Sequence, residues 1–311
     1  MWFWLSIITL LCWSGSDLFS KIGCRDSRDR YSHLKMVIAV GTVMGLHAAF
    51  EIFVSGVEIN MAVILTYLPV SLLYILSMTL GYVGLRYIEL SISSPICNSS
   101  GALVAVLSLV TGGISAVNGW QLGAVAMVCA GVIGLGIVES REDESLRQAR
   151  QEASNYRYAK SWLALALPIA YCLLDAAGTF ADNIVIEKIG TMTASGEDSA
   201  NVAYELTFLF AALVSFIYIV LIKRQKLIPK MEAPKYVGAV FETAGQFSYI
   251  FAIADSEHLM MSAPIISSYC VASVIWGRLF LKEKLSRKHY AMIAVVVIGI
   301  AVLGLFDEIG A

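Results

Sequence analysis

Charge is scarce in this chain. Only 15% of its 311 residues are Asp, Glu, Lys or Arg, against about 25% in an ordinary soluble domain. Hydrophobic residues make up 58%, and the mean hydropathy is +0.73. A soluble core does not need that much apolar surface, so the first reading is a polytopic membrane protein. Paired cysteines are lacking as well. The six thiols, at positions 12, 24, 97, 129, 172 and 270, form no Cys-x-x-Cys pair and no metal spacing. Five fall in apolar stretches, where a buried thiol is the plain reading, and no cofactor is implied. There is no P-loop, H-E-x-x-H or G-x-S-x-G sequence, and the four histidines are dispersed. An ATP motor is therefore not expected, and nothing supports a membrane enzyme. The net charge of −2 speaks neither for nor against nucleic acid, but the placement of the charges points to a bilayer. The opening "MWFWLSIITL" has no positively charged start and no A-x-A-like site after it. It reads as a retained first transmembrane helix, not a signal peptide.

What is present is a series of long apolar runs. A membrane-spanning helix needs about 20 mostly apolar residues. Such runs lie near 2–22, 35–56, 64–88, 92–112 and 119–138, then near 161–183, 201–222, 235–256, 259–281 and 287–306. Between them, "ESREDESLRQARQEASNYRYAK" (139–160) is too polar for the bilayer and reads as a charged cytoplasmic linker. The expectation is an all-α membrane protein with five spans in 1–138 and five in 161–311.

The two halves carry collinear matches. "SSP" at 93–95 recurs as "SAP" at 262–264, and Tyr67-Leu-Pro-Val sits opposite Tyr236-Val-Gly-Ala. Gly131 and Gly136 answer Gly299 and Gly304, "KIG" occurs at 21–23 and 188–190, and Trp13 and Asp17 answer Tyr171 and Asp175. Five is odd, so the second set must cross the membrane inverted relative to the first. A site at the interface of such repeats is a common carrier plan. Lys and Arg supply orientation. The connections after the first, third, fifth, seventh and ninth spans hold 21 of the 22 basic residues, leaving Lys188 alone on the other side. Those connections are expected in the cytoplasm, with both termini outside an inner or plasma membrane.

"SVIWGRLFLKEKLSRKHYAMIAVVVIGIAVLG" (273–304) resembles the closing signature of the EamA-like drug/metabolite transporters, an apolar helix, a "LFLKEKLS" turn and a Gly-rich last helix. The family's Trp-Gly with a Lys eight residues after the Trp is met in part, as Trp13 and Lys21 with Ser14 in place of the Gly. "GYVGLRYIELSISSP" (81–95) is similar to the family's junction of third and fourth spans. The resemblance implies two inverted five-helix repeats, spans 1–4 and 6–9 around a central cavity, alternating access and a small-molecule substrate. Members are usually drawn with cytoplasmic termini, and here the basic residues point the other way.

Several polar side chains stand out within the apolar runs. Trp13 and Asp17 share a helix face, as do Tyr171 and Asp175. Two aromatic–carboxylate pairs facing one cavity would hold an organic cation or amine, with cation–π contact worth roughly 0.5–2 kcal/mol each. Alternatively, Asp17 pairs with Lys21 one turn on. Glu242 has no Lys or Arg within a turn and is either a proton-coupling carboxyl or a hydrogen-bonded structural one. His47 and Glu51 share a face and would relay protons or simply pair with each other. Glu205, Asp255, Glu257 and His258 read as solvated. Asn98 and Tyr269, in "SSPICNSSG" and "SAPIISSYC", are cavity candidates, although small-residue packing explains the serines equally well. Asn98-Ser99-Ser100 matches a glycosylation sequon at membrane depth and is discounted. Tyr82 and Tyr249 fall in spans that the resembled family uses as cavity walls. Trp2, Trp4 and Trp120 read as interfacial belt residues. Gly41-xxx-Gly45 and Gly119-xxx-Gly123 are helix-contact spacings, and the second would serve a weak homodimer if the chain is not a monomer. A carrier of a neutral or zwitterionic metabolite stays open, as does a channel.

Overall fold

The computed structural model describes residues 1–24, 29–87, 90–112, 118–140, 163–282 and 285–309. The linker at 141–160 and the side chain of Arg86 lie outside the described residues. Among the described residues, ten helices are long and apolar enough to cross a membrane: Trp2–Cys24, Ser32–Ser55, Met61–Gly84, Ser93–Thr111, Gly119–Val138, Ala166–Gly190, Gly196–Ile222, Pro229–Ala254, Leu259–Phe280 and Arg287–Leu305. They are numbered here as the first to tenth spans. Their outward faces carry large apolar side chains such as Leu46, Phe53, Phe210, Leu221 and Val297. In lipid these need no covering, because acyl chains are as apolar as they are.

Two features depart from the sequence expectation. The sixth span continues to Gly190, seven residues past the expected end. Asp182 and Asn183, at the very end of the expected span, therefore lie well inside the helix. The fourth and ninth spans are not continuous. The fourth is made of Leu90–Cys97 and Ser100–Gly112, the ninth of Leu259–Ser267 and Tyr269–Phe280. Each break follows a proline inside the first segment, Pro95 or Pro264. A proline removes an N–H and crowds the preceding turn, and freed backbone groups at membrane depth must find other partners. In the fourth span Asn98 closes the turn before the break, its backbone N–H and Nδ2 both donating to the Ser94 carbonyl, at 2.9 and 2.8 Å.

The first span packs most extensively on the eighth, the third on the sixth, the second on the seventh, the fourth on the ninth and the fifth on the tenth. Exchanging the first five spans for the second five leaves this set of pairs unchanged. Glycines allow the closest crossing. A Cβ at Gly131 would meet Val296 and the Met292 carbonyl, and one at Gly299 would meet Val128 and the Ala124 carbonyl. Gly41 and Gly45 likewise face Phe208, Leu209 and Ala212 of the seventh span, whereas Gly119 and Gly123 face open space. Trp4 and Trp120 are exposed, in keeping with belt positions, but Trp2 is buried and stacks on His258 at 5.0 Å.

At the basic end of the bundle an ion cluster joins the second and eighth spans. Lys35 Nζ lies 2.8 Å from Asp29 and 3.3 Å from Glu232, and Lys235 Nζ lies 2.7 Å from Glu232. All four side chains are at most 9% exposed. Burial of charge at this depth is tolerable only because each is paired.

Candidate functional site

A central cavity of about 950 Å³, measured out to its mouth, lies among the first, third, fourth, sixth, seventh, eighth and ninth spans. Trp13, Asp17, Tyr82, Asn98, Tyr171, Asp175, Glu242, Tyr249 and Tyr269 all line it. These residues come from both halves of the chain. They converge because the i, i+4 spacing holds each aromatic beside its carboxylate, while the helix pairing turns those faces inward.

Each carboxyl is held by hydroxyls from another helix. Asp17 Oδ2 accepts from Ser94 Oγ at 2.7 Å and from Ser273 Oγ at 2.8 Å. Asp175 Oδ2 accepts from Ser100 Oγ at 2.7 Å. The Ser16 hydroxyl, one turn from Ser20 on the first span, bonds Glu242. The serines of the broken fourth span thus serve as donors to the acids of the first and sixth spans, beyond filling space. The fourth and ninth spans cross tightly beside them. A Cβ at Gly101 would sit 2.6 Å from Ser267 Cβ and 2.8 Å from the Ala263 carbonyl.

The aromatic wall is continuous. The Trp13 ring lies 5.0 Å from Tyr249 and 5.8 Å from Tyr269, centroid to centroid. Trp13 Nε1, Tyr82 Oη and Gln246 Nε2 are buried donors with no partner among the described residues, and all three residues line the cavity. No Lys, Arg or His is among the described residues lining it. Three carboxyls, ring faces and three open donors, with no basic group, suit a cationic or strongly polar guest.

Beyond the cavity wall lies a carboxyl that the sequence reading missed. Asp182 is fully buried and accepts from Tyr67 Oη at 2.6 Å and from Tyr74 Oη at 3.3 Å. Thr179 Oγ1, 3.1 Å from Tyr74 Oη, is an alternative acceptor for the single Tyr74 proton, and Tyr74 also pairs with the Tyr249 hydroxyl. The signal was present: Asp182 follows Asp175 by seven residues, two turns along the same face. It was passed over because Asp182 fell in the last turn of the expected span, where a carboxylate reads as a solvated helix end.

His47 and Glu51 stand away from the cavity. His47 Nδ1 lies 2.9 Å from Glu205 Oε1, and Nε2 lies 3.6 Å from Glu51. Glu205, expected to be solvated, is completely buried and also accepts from Asn201 at 3.2 Å. A carboxylate at the start of an apolar span is hydrated only if no neighbouring helix covers it, and here the second span does. His258 and Asp255 are not simply solvated either. They pair at 2.8 Å while remaining about a third exposed, at 30% and 36%; Glu257 is exposed as expected.

None of the curated proteins matches the chain in sequence. Among solved structures, 26 chains match. One, described as "Crystal structure of protein", superposes with a TM-score of 0.61 at 14% identity, over 98% of this chain and 96% of that one. At that identity the likeness speaks for the fold. Residues 169–305, nearly the whole second set of spans, match the EamA-like transporter family. Over that second set of spans the chain is similar to the EamA-like transporter family, consistent with the drug/metabolite transporter superfamily, and its ten apolar helices fit a membrane transporter.

Proposed function

We propose that this protein is a secondary transporter that carries a small organic cation or amine by alternating access, coupled to protons. One observation carries the reading: Asp17, Asp175 and Glu242 enter a single aromatic-walled cavity whose described lining has no basic side chain. Three carboxyls attract positive charge, and the faces of Trp13, Tyr249 and Tyr269 add cation–π contact of roughly 0.5–2 kcal/mol each. The acids reach the cavity from both halves, as a site between inverted repeats requires. The exchange symmetry of the helix pairs supports that arrangement. Glu242, held by a serine and facing no cation among the cavity residues, is the proton-coupling candidate at the substrate site. The distribution of Lys and Arg supports both termini outside.

The experiment is thermal stabilisation of detergent-purified protein by organic cations, neutral metabolites and anions, on wild type and Asp17→Asn. A ligand at 100 times its dissociation constant stabilises by about 2.7 kcal/mol. Cations are expected to shift the wild type, and the mutant is expected to lose the effect. Stabilisation by neutral or anionic compounds alone, or an unchanged mutant, would sink the cation assignment. A zwitterionic or neutral metabolite is the second reading, favoured by the open donors of Trp13, Tyr82 and Gln246. A carrier also shows saturable flux in proteoliposomes, which separates it from a channel.

A further inference from the structure

Asp182 is the most deeply buried carboxyl of the cavity region, and the transport reading above leaves it without a task. Its side chain is 0% exposed, as is that of Tyr67. The groups facing it are the hydroxyls of Tyr67 and Tyr74 from the third span, the Tyr249 hydroxyl from the eighth, and Thr179 of its own helix. The Tyr204 ring of the seventh span packs against Tyr67 and Tyr74, with centroids 6.5 and 6.0 Å away. Asp175, two turns back on the same helix, is the neighbouring acid.

This cluster is joined to the cavity through hydroxyls alone. Tyr74, Thr179 and Tyr249 line the cavity, whereas Tyr67 and Asp182 lie behind them. The path from cavity to carboxyl runs from Tyr249 to Thr179 at 3.3 Å or to Tyr74 directly, and from Tyr74 to Asp182 at 3.3 Å. A hard metal cation needs several oxygens drawn around it at roughly 2.0–2.6 Å. Here a single carboxylate is surrounded by neutral hydroxyls, and no group of three or more His, Cys, Asp or Glu side chains that could hold a metal ion is found among the described residues, so the donor set suits a proton better than a hard cation.

We propose that Asp182 is a proton-binding site of the transporter, separate from the three carboxyls that face the substrate and reached through the Tyr249–Thr179–Tyr74 hydroxyls. The inference rests on the transporter reading but not on the charge of the substrate. Ionised, Asp182 accepts the Tyr67 and Tyr74 protons. Protonated, it must itself donate, so one tyrosine turns its own proton elsewhere. For Tyr74 the alternative acceptor is Thr179 Oγ1, 3.1 Å away on the cavity wall. The proton taken up at Asp182 is thereby felt as a reorientation of hydroxyls that the substrate touches.

Infrared difference spectra of the protein in lipid, between acidic and alkaline buffer, test this without any substrate. The wild type is expected to show the carbonyl stretch of a protonated carboxyl that titrates. Asp182→Asn should lose that band, and Tyr67→Phe should move its frequency by removing a hydrogen bond. Asp17→Asn, Asp175→Asn and Glu242→Gln should keep it. If Asp182→Asn does not fold, Asp182→Glu and Tyr67→Phe decide the matter by whether the band moves. No titrating band in the wild type, full amplitude in Asp182→Asn, or an unmoved band in both conservative variants overturns the proposal. Failure of the cation reading is distinguishable: the thermal shifts vanish while the infrared band remains.

Discussion

At the scale of single residues, the buried acids within the spans each have a partner that lies far away in sequence. Glu205 is the sharpest case outside the cavity. It is completely buried, and its donors are His47 Nδ1 at 2.9 Å and Asn201 Nδ2 at 3.2 Å. Removing a hydrogen-bond donor from a buried acceptor costs about 1–3 kcal/mol, more where the acceptor is charged. His47→Ala is therefore expected to lower the melting temperature in detergent by several degrees. His47→Gln, which keeps a donor, should lower it less. Equal loss in the two variants would show that packing against Phe247, whose ring lies 5.6 Å from His47, outweighs the hydrogen bond. His47 and Glu51 were legible as a pair because they are four residues apart. Glu205 as their third member was not, since no local pattern reveals which helix covers a carboxylate.

At the scale of elements, two joints bear on stability in different ways. The crossing of the fourth and ninth spans depends on the absence of a side chain at Gly101. Overpacking costs about 1–3 kcal/mol, and the Ala263 carbonyl opposite Gly101 is backbone that cannot swing aside. Gly101→Ala is expected to reduce thermal stability and also to weaken cation binding, because Ser100 beside it holds Asp175. The second joint is the ion cluster of the second and eighth spans. Among the described residues Glu232 pairs with both Lys35 and Lys235, whereas Asp29 pairs with one lysine, Lys35, and accepts from the Tyr31 N–H. Glu232→Gln should therefore cost more stability than Asp29→Asn, by a margin that persists in high salt because buried pairs are little screened. Melting curves at low and high ionic strength check both claims. The prolines at 95 and 264 and the serines around them were visible in the sequence as polar interruptions. That each marks a broken helix, and that Ser94 and Ser100 of the fourth span and Ser273 of the ninth bond acids on other spans, was not.

At the scale of the whole molecule, orientation decides how the cavity is used. With 21 of 22 basic residues in alternate connections, the positive-inside rule puts both termini outside. Alkaline phosphatase fused at the C-terminus is expected to be active in cells, and a fluorescent protein inserted in the 139–160 linker is expected to fluoresce. The reverse pair of results would invert the assignment and agree with the usual depiction of the resembled family. Neither result alters the cavity, whose residues converge whichever way the bundle faces.

The amino-acid sequence by itself determined the ten apolar spans, the charge asymmetry and the aromatic–acid pairs at Trp13–Asp17 and Tyr171–Asp175. Those properties are set by composition and by a helical period of 3.6 residues, which act within a single helix and need no partner. The tertiary structure alone decided which hydroxyl meets which acid: Tyr67 on Asp182 across 115 residues, Ser273 on Asp17 across 256, His47 on Glu205 across 158. In the membrane interior an unmet polar group is costly, so every buried acid must find a donor. The period of one helix does not encode the identity of that donor, because it depends on how neighbouring helices are rotated and where they cross.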